Sequence, residues 1–194
     1  MSKYSKLYTF GCSFTQNKGQ VCWPVPLSEK MNITLENHGV GGESNQHMYH
    51  RMVETNIDKD ALVIVGLTEM TRVALHSKVV NVVELDIKRA MNSYMSTILS
   101  IRNFLESENI EYRIFSALNP TPRFLEQMEH AKTFFESRYY DTFNNFLGLP
   151  FFPKAGGETL QNFCEQRKMS ISNEDFHPTD ECHKLWANWL YEKI

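Results

Sequence analysis

Short apolar stretches alternate with longer amphipathic ones along most of the chain. Leu7-Tyr8-Thr9-Phe10, the run from Ile33 to Leu35, Ala61 to Val65 and Tyr112 to Leu118 have the length and the aromatic or β-branched content of strands. Between them, helices are expected near 24–31, 44–56 and 85–108. The last carries Met91, Met95, Ile98, Leu99, Ile101, Phe104 and Leu105 at helical spacing, which makes one apolar stripe. A final helix begins after Pro178 and Thr179, with Asp180 and Glu181 in its first turn and Cys182, Leu185, Trp186, Trp189 and Leu190 on the face that docks. Alternation of this kind predicts an α/β fold: a three-layer sandwich with a central parallel sheet of about five strands, helices on both faces, and functional loops at the carboxyl ends of the strands.

Composition bounds what such a fold can do. A chain of 194 residues with 42% hydrophobic residues is enough for one well-buried domain, expected to span 1–194. The formal charge is −3, and Lys and Arg are spread without a basic, aromatic-laced cluster, which argues against nucleic acid as a partner. No run approaches the roughly 18 apolar residues of a membrane span, and the start leads straight into a strand, so a soluble, cytoplasmic or otherwise intracellular protein is expected. Cys12, Cys22, Cys164 and Cys182 show neither C-x-x-C pairing nor zinc spacing and are expected to be free thiols. Neither a metal nor a cofactor is expected.

The candidate chemistry lies at the two ends of the chain. Gly11-Cys12-Ser13-Phe14-Thr15 follows the first strand, and Asp175-Phe176-His177-Pro178 precedes the last helix. A serine hydroxyl attacks poorly until a histidine takes its proton, and the histidine needs a carboxylate to fix its tautomer and stabilise the imidazolium. A serine after a strand is also an ordinary turn residue, so the tripeptide alone says little. A second feature is the glycine-rich loop Asn37-His38-Gly39-Val40-Gly41-Gly42-Glu43-Ser44-Asn45, whose backbone N–H groups can receive an anion, including the oxyanion of a tetrahedral intermediate. A dinucleotide or phosphate loop is the weaker reading, because the full G-x-G-x-x-G spacing and a P-loop lysine are both missing.

Together these blocks resemble the SGNH, or GDSL-like, hydrolases, in a compact form with G-C-S-F-T in place of G-D-S. The resemblance implies a flavodoxin-like fold and places the nucleophile at Ser13 and the oxyanion glycine at Gly42. The third block of that family, G-x-N-D, reads here Gly66-Leu67-Thr68-Glu69, so Thr68 stands at the oxyanion asparagine. The late D-x-x-H block gives His177 as the base and two candidate acids. Its spacing lands on Glu174, whereas the aspartate is Asp175; the Asp-x-His-Pro form favours Asp175. What the resemblance implies is a serine esterase that hydrolyses small O-acyl esters, such as acetyl esters of carbohydrate, through an acyl-enzyme. An O-acyltransferase with the same triad is one alternative, and a catalytically weak binding or structural module is another.

Independently of the resemblance, Ser13, Gly42, Thr68 and Asn119 all fall at carboxyl ends of expected strands, which predicts one shared cleft. Other features invite separate readings. Strand alternation turns Cys12 away from Ser13 and so argues against a thiol nucleophile. The aromatic segment 134–152 suits core packing, an apolar lid, a sugar platform or a subunit interface of a homo-oligomer. Arg72 is read first as a salt-bridge residue and second as a binder of a substrate carboxylate or phosphate. His183 is read as a packed imidazole.

Overall fold

The computed structural model describes residues 3–17, 19, 21–75, 78–81, 87–119, 145–148, 158–172 and 174–194. Five parallel strands form the central sheet: β1 (Lys6–Gly11), β2 (Thr34–Gly39), β3 (Leu62–Leu67), β6 (Glu111–Ser116) and the short β7 (Phe146–Gly148). Their order is β2-β1-β3-β6-β7. This is the doubly wound arrangement, in which the strand order reverses beside β1 and opens a crevice at the strand carboxyl ends. An antiparallel hairpin of β4 (Arg72–Leu75) and β5 (Lys78–Asn81) is inserted after β3. The hydrophobic pattern did not announce it.

Period-two alternation in the strands builds the two faces of the sheet. On one face Tyr8, Phe10, Val63, Val65, Tyr112 and Ile114 pack against Met48 and Met52 of α2 (Asn45–Glu54) and against Tyr94, Ile98, Ile101 and Leu105 of α3 (Ile87–Ser107). On the other, Leu7, Leu62, Ile64 and Phe115 meet Leu27 of α1 (Pro24–Met31), Leu160 and Phe163 of α4 (Leu160–Gln166), and Trp186 and Leu190 of α5 (Asp180–Tyr191). Both faces are covered, which is why β3 reads as an unbroken apolar run. Trp186 is the hub of the second core: Phe115 and Phe163 meet its ring edge-on at centroid distances of 5.2 and 5.1 Å, and Trp189 stacks on it at 4.5 Å.

Helix ends are set by ordinary capping. Ser44, Thr159 and Thr179 each accept a backbone N–H of the first turn of α2, α4 and α5, and Pro24 opens α1. Asn32, in the left-handed region at φ 54°, ends α1 and lets the chain turn directly into β2.

One expectation is overturned. Cys164 of α4 and Cys182 of α5 form a disulfide, their Cα atoms 5.9 Å apart, and only Cys12 and Cys22 are free thiols. Spacing could not reveal the pair, because two cysteines 18 residues apart on successive helices meet only once those helices pack. The aromatic segment 134–152 falls outside the described residues apart from 145–148, which contain β7. Among the described residues no helix is long and apolar enough to cross a membrane.

Candidate active site

Three adjacent strands end in glycine or pass through it at the same level: Gly11 of β1 is in register with Gly39 of β2 and Gly66 of β3. The chain leaving β1 doubles back at once, with the N–H groups of Thr15 and Gln16 donating to the Cys12 carbonyl at 2.9 and 3.0 Å. This turn drives Thr15, fully buried, down onto the glycines. A Cβ on Gly39 would lie 2.6 Å from the backbone of Thr15 and Gln16, and one on Gly11 would collide with the Thr15 side chain. Glycine is therefore required for close approach. The result lifts Ser13, half-buried, out of the sheet end while Cys12 stays wholly buried beneath it.

The glycine-rich loop is bolted to that turn. Asn37 Nδ2 donates to the Thr15 carbonyl at 2.8 Å, while its Oδ1 accepts from Thr9 Oγ1 at 3.0 Å and from the Gly39 N–H at 2.9 Å. The Val40 N–H donates to the Gly11 carbonyl at 2.9 Å, and the Gly41 N–H to Gln16 Oε1 at 2.8 Å. Gly42 then sits exposed with φ 76°, a left-handed conformation suited to glycine. Behind it, buried Glu43 pairs with Arg51 of α2. Burial raises the Glu43 pKa, opposed by the Arg51 hydrogen bond and charge.

The second half of the site comes from the loop between α4 and α5. Its two limbs are clasped by Ile171 N–H to the His177 carbonyl at 2.9 Å and Thr179 N–H to the Met169 carbonyl at 2.9 Å. The Cys164–Cys182 bond staples the helices on either side. Within the loop, the Asp175 N–H donates to Ser172 Oγ at 2.9 Å, and Asp175 Oδ1 accepts the His177 backbone N–H at 3.0 Å. That Asx-type turn aims the carboxylate at its own histidine.

Across the two halves, His177 Nε2 lies 2.8 Å from Ser13 Oγ, and His177 Nδ1 lies 2.5 Å from Asp175 Oδ1. Residues 164 positions apart in sequence are thus brought into one hydrogen-bonded chain. The backbone and side-chain hydrogen bonds from His177 hold the Asp175 carboxyl below the usual carboxylate range. Phe14 supports the imidazole with its ring 4.9 Å away at 50°. Glu174 is exposed on the same loop; its described hydrogen bond is a backbone one to Ser172, and the acid that meets the histidine is Asp175.

The chain opens into a cleft of about 570 Å³ lined by Ser13, Phe14, Glu69, Arg72, Leu118, Asn119, Gln161 and the segment Glu174 to His177. Asn119, at the end of β6, is held by the Gln161 side chain at 2.9 Å and by Thr159. Thr68 is not among the described residues that line this cleft. It is 1% exposed and lines, with Tyr94 and Ser116, a small pocket that shares Glu69, Leu118 and Asn119 with the cleft; its backbone N–H and carbonyl are clamped by the Asn45 amide at 2.9 and 3.1 Å. Its hydroxyl has no partner among the described residues. His183, read as a packed imidazole, is buried and accepts the Trp23 N–H at 3.3 Å through Nδ1. Sequence reasoning missed Asn37 and Asn45 as clamps; both lie in the glycine-rich block, and only the packing of its neighbours gives their amides work.

No protein-family model and no curated protein sequence matches the chain. Solved structures do. A protein assigned to the lipolytic G-D-S-L family from Desulfitobacterium hafniense superposes with a TM-score of 0.61 at 17% identity, covering 98% of this chain and 99% of its own. A catalytic mutant of an acetylxylan esterase from Geobacillus stearothermophilus gives 0.62 at 13% identity, over 100% and 95% of the two chains. A psychrotrophic esterase from a Pseudoalteromonas species gives 0.57 at 13% identity, over 98% and 96%. The fold is that of the SGNH, or GDSL-like, hydrolases.

Proposed function

We propose that the protein is a serine esterase acting on small O-acyl esters through an acyl-enzyme. The observation that carries this reading is the hydrogen-bonded chain Ser13–His177–Asp175 at the mouth of a cleft. Ser13 Oγ attacks the ester carbonyl as His177 Nε2 takes its proton, and Asp175 holds Nδ1–H and stabilises the imidazolium. The backbone N–H groups of Ser13 and Gly42 receive the oxyanion. His177 then gives its proton to the departing alkoxide. Water repeats the sequence in the second half-reaction and frees the acid.

Thr68 is left out of this oxyanion hole, because it is buried and is not among the described residues lining the cleft. Loss of one oxyanion donor costs on the order of 10² to 10³ in rate, which leaves a working enzyme. Acetyl esters of carbohydrate are the first substrates to try, since one of the structural neighbours is an acetylxylan esterase. The expected intracellular location has the Cys164–Cys182 bond against it, because disulfides persist mainly in oxidising surroundings.

The test is covalent labelling followed by mutation. A fluorophosphonate should add to Ser13, and Ser13→Ala should remove both labelling and hydrolysis of p-nitrophenyl acetate with the fold intact. Cys12→Ala is the matched control and should keep both. An unlabelled wild-type protein, or activity retained in Ser13→Ala, refutes the triad.

A further inference from the structure

The cleft holds a cation that the triad does not use. Arg72 stands at the start of β4, immediately after the turn that carries the third block, and its side chain lines the cleft together with Ser13 and His177. The turn is rigid: the Arg72 N–H donates to the Glu69 carbonyl at 3.2 Å, and Asn45 clamps Thr68 just before it. The salt bridge expected for Arg72 is not formed with any described carboxylate within 4.0 Å. Its Nη1 is sealed from water and has no hydrogen-bond partner among the described residues. A buried donor left unpaired costs on the order of 1–3 kcal/mol, and more when the group is charged. The half-buried side chain as a whole still lines the cleft, where an anion can approach it.

The other charged groups lining the cleft among the described residues are Glu69, Glu174, Asp175 and His177. Asp175 is committed to His177. Glu174 is exposed, where water screens it. Glu69 lies on the Arg72 turn and is half-buried, without a described ion pair to Arg72. Among the described residues, the fixed positive charge lining the cleft is therefore that of Arg72. Its planar guanidinium is shaped to take a carboxylate through two parallel N–H donors.

We infer that Arg72 is a specificity residue and that the esters preferred by this cleft carry a carboxylate in the part of the molecule seated against it. The inference rests on the esterase reading for the reaction, but not for binding, and the two fail separately. The probes are 3- and 4-acetoxybenzoate and their uncharged isosteres, 3- and 4-acetoxybenzamide. In the Ser13→Ala protein, which holds the ester uncleaved, at least one acetoxybenzoate should bind about tenfold or more tightly than its amide, the size of a charge-assisted hydrogen bond. Ser13→Ala/Arg72→Gln should bind the pair equally, and Arg72→Lys in place of Gln should restore part of the preference. In the wild-type enzyme the same preference should appear in KM with little change in kcat. Equal binding of acid and amide by the Ser13→Ala protein overturns the inference without needing any Arg72 variant to fold. A preference that survives Arg72→Gln overturns it too. A carboxylate preference in binding, with no turnover of any of the four esters, would uphold the anion site and sink the esterase.

Discussion

His183 should make the fold acid-sensitive, through the same contact that docks the last helix. Its imidazole is buried between α5 and the start of α1, with Nδ1 accepting the Trp23 N–H. Burial pulls its pKa from 6.5 to about 4, with the His177 charge adding to the fall and Asp180 opposing it. In the unfolded chain the ring takes its proton near pH 6.5; in the folded protein it stays neutral down to about 4. The unfolded state therefore binds the extra proton throughout that window, and stability must fall as the pH drops through it. Each pH unit of the gap is worth about 1.4 kcal/mol, so about 3 kcal/mol is lost by the bottom of the window. Between about pH 7.5 and about pH 5 the loss is about 2 kcal/mol. Urea unfolding of the wild type and of His183→Gln at those two pH values isolates this contribution, because every other titrating group is common to both. Gln keeps an acceptor for Trp23 N–H but cannot be protonated. The variant should be less stable near neutral pH, having lost ring contacts, yet its stability should fall by about 2 kcal/mol less on acidification. Parallel pH profiles for the two proteins would refute the argument, as would an NMR titration placing the His183 ring near its unfolded value.

Two further outcomes follow from the loop that carries His177. Asp175→Asn should lower kcat by up to roughly 10⁴ by favouring the wrong imidazole tautomer, as in other serine triads, with Glu174→Gln near wild type; steady-state kinetics on p-nitrophenyl acetate decide it, and the reverse pattern transfers the role to Glu174. Replacing Cys164 and Cys182 together by Ala should cost about 3 kcal/mol in urea unfolding, the loop-closure entropy of a cross-link spanning 18 residues. Two free thiols at these positions in the purified protein, or unchanged stability, would remove the staple from the account.

Local chemistry was legible in the residues themselves. Strand and helix positions depend on side-chain period, and period is a property of neighbours in sequence; hence α1, α2, β3 and the long α3 fall where the pattern puts them. The parts of the site were legible for a related reason: a serine after a strand, a glycine-rich turn and an Asp-x-His-Pro segment are each short enough to be recognised in a few residues. Asp175 rather than Glu174 depends on how one loop folds back on itself, with an Asx-type turn and a Ser172 contact selecting between adjacent carboxylates. The Cys164–Cys182 bond, the burial of Thr68 and the Arg72 Nη1 left without a partner among the described residues belong wholly to the tertiary structure. Each depends on what packing brings alongside. A residue's own identity sets what bonds it can form, but packing alone decides which partner, or none, arrives to form them.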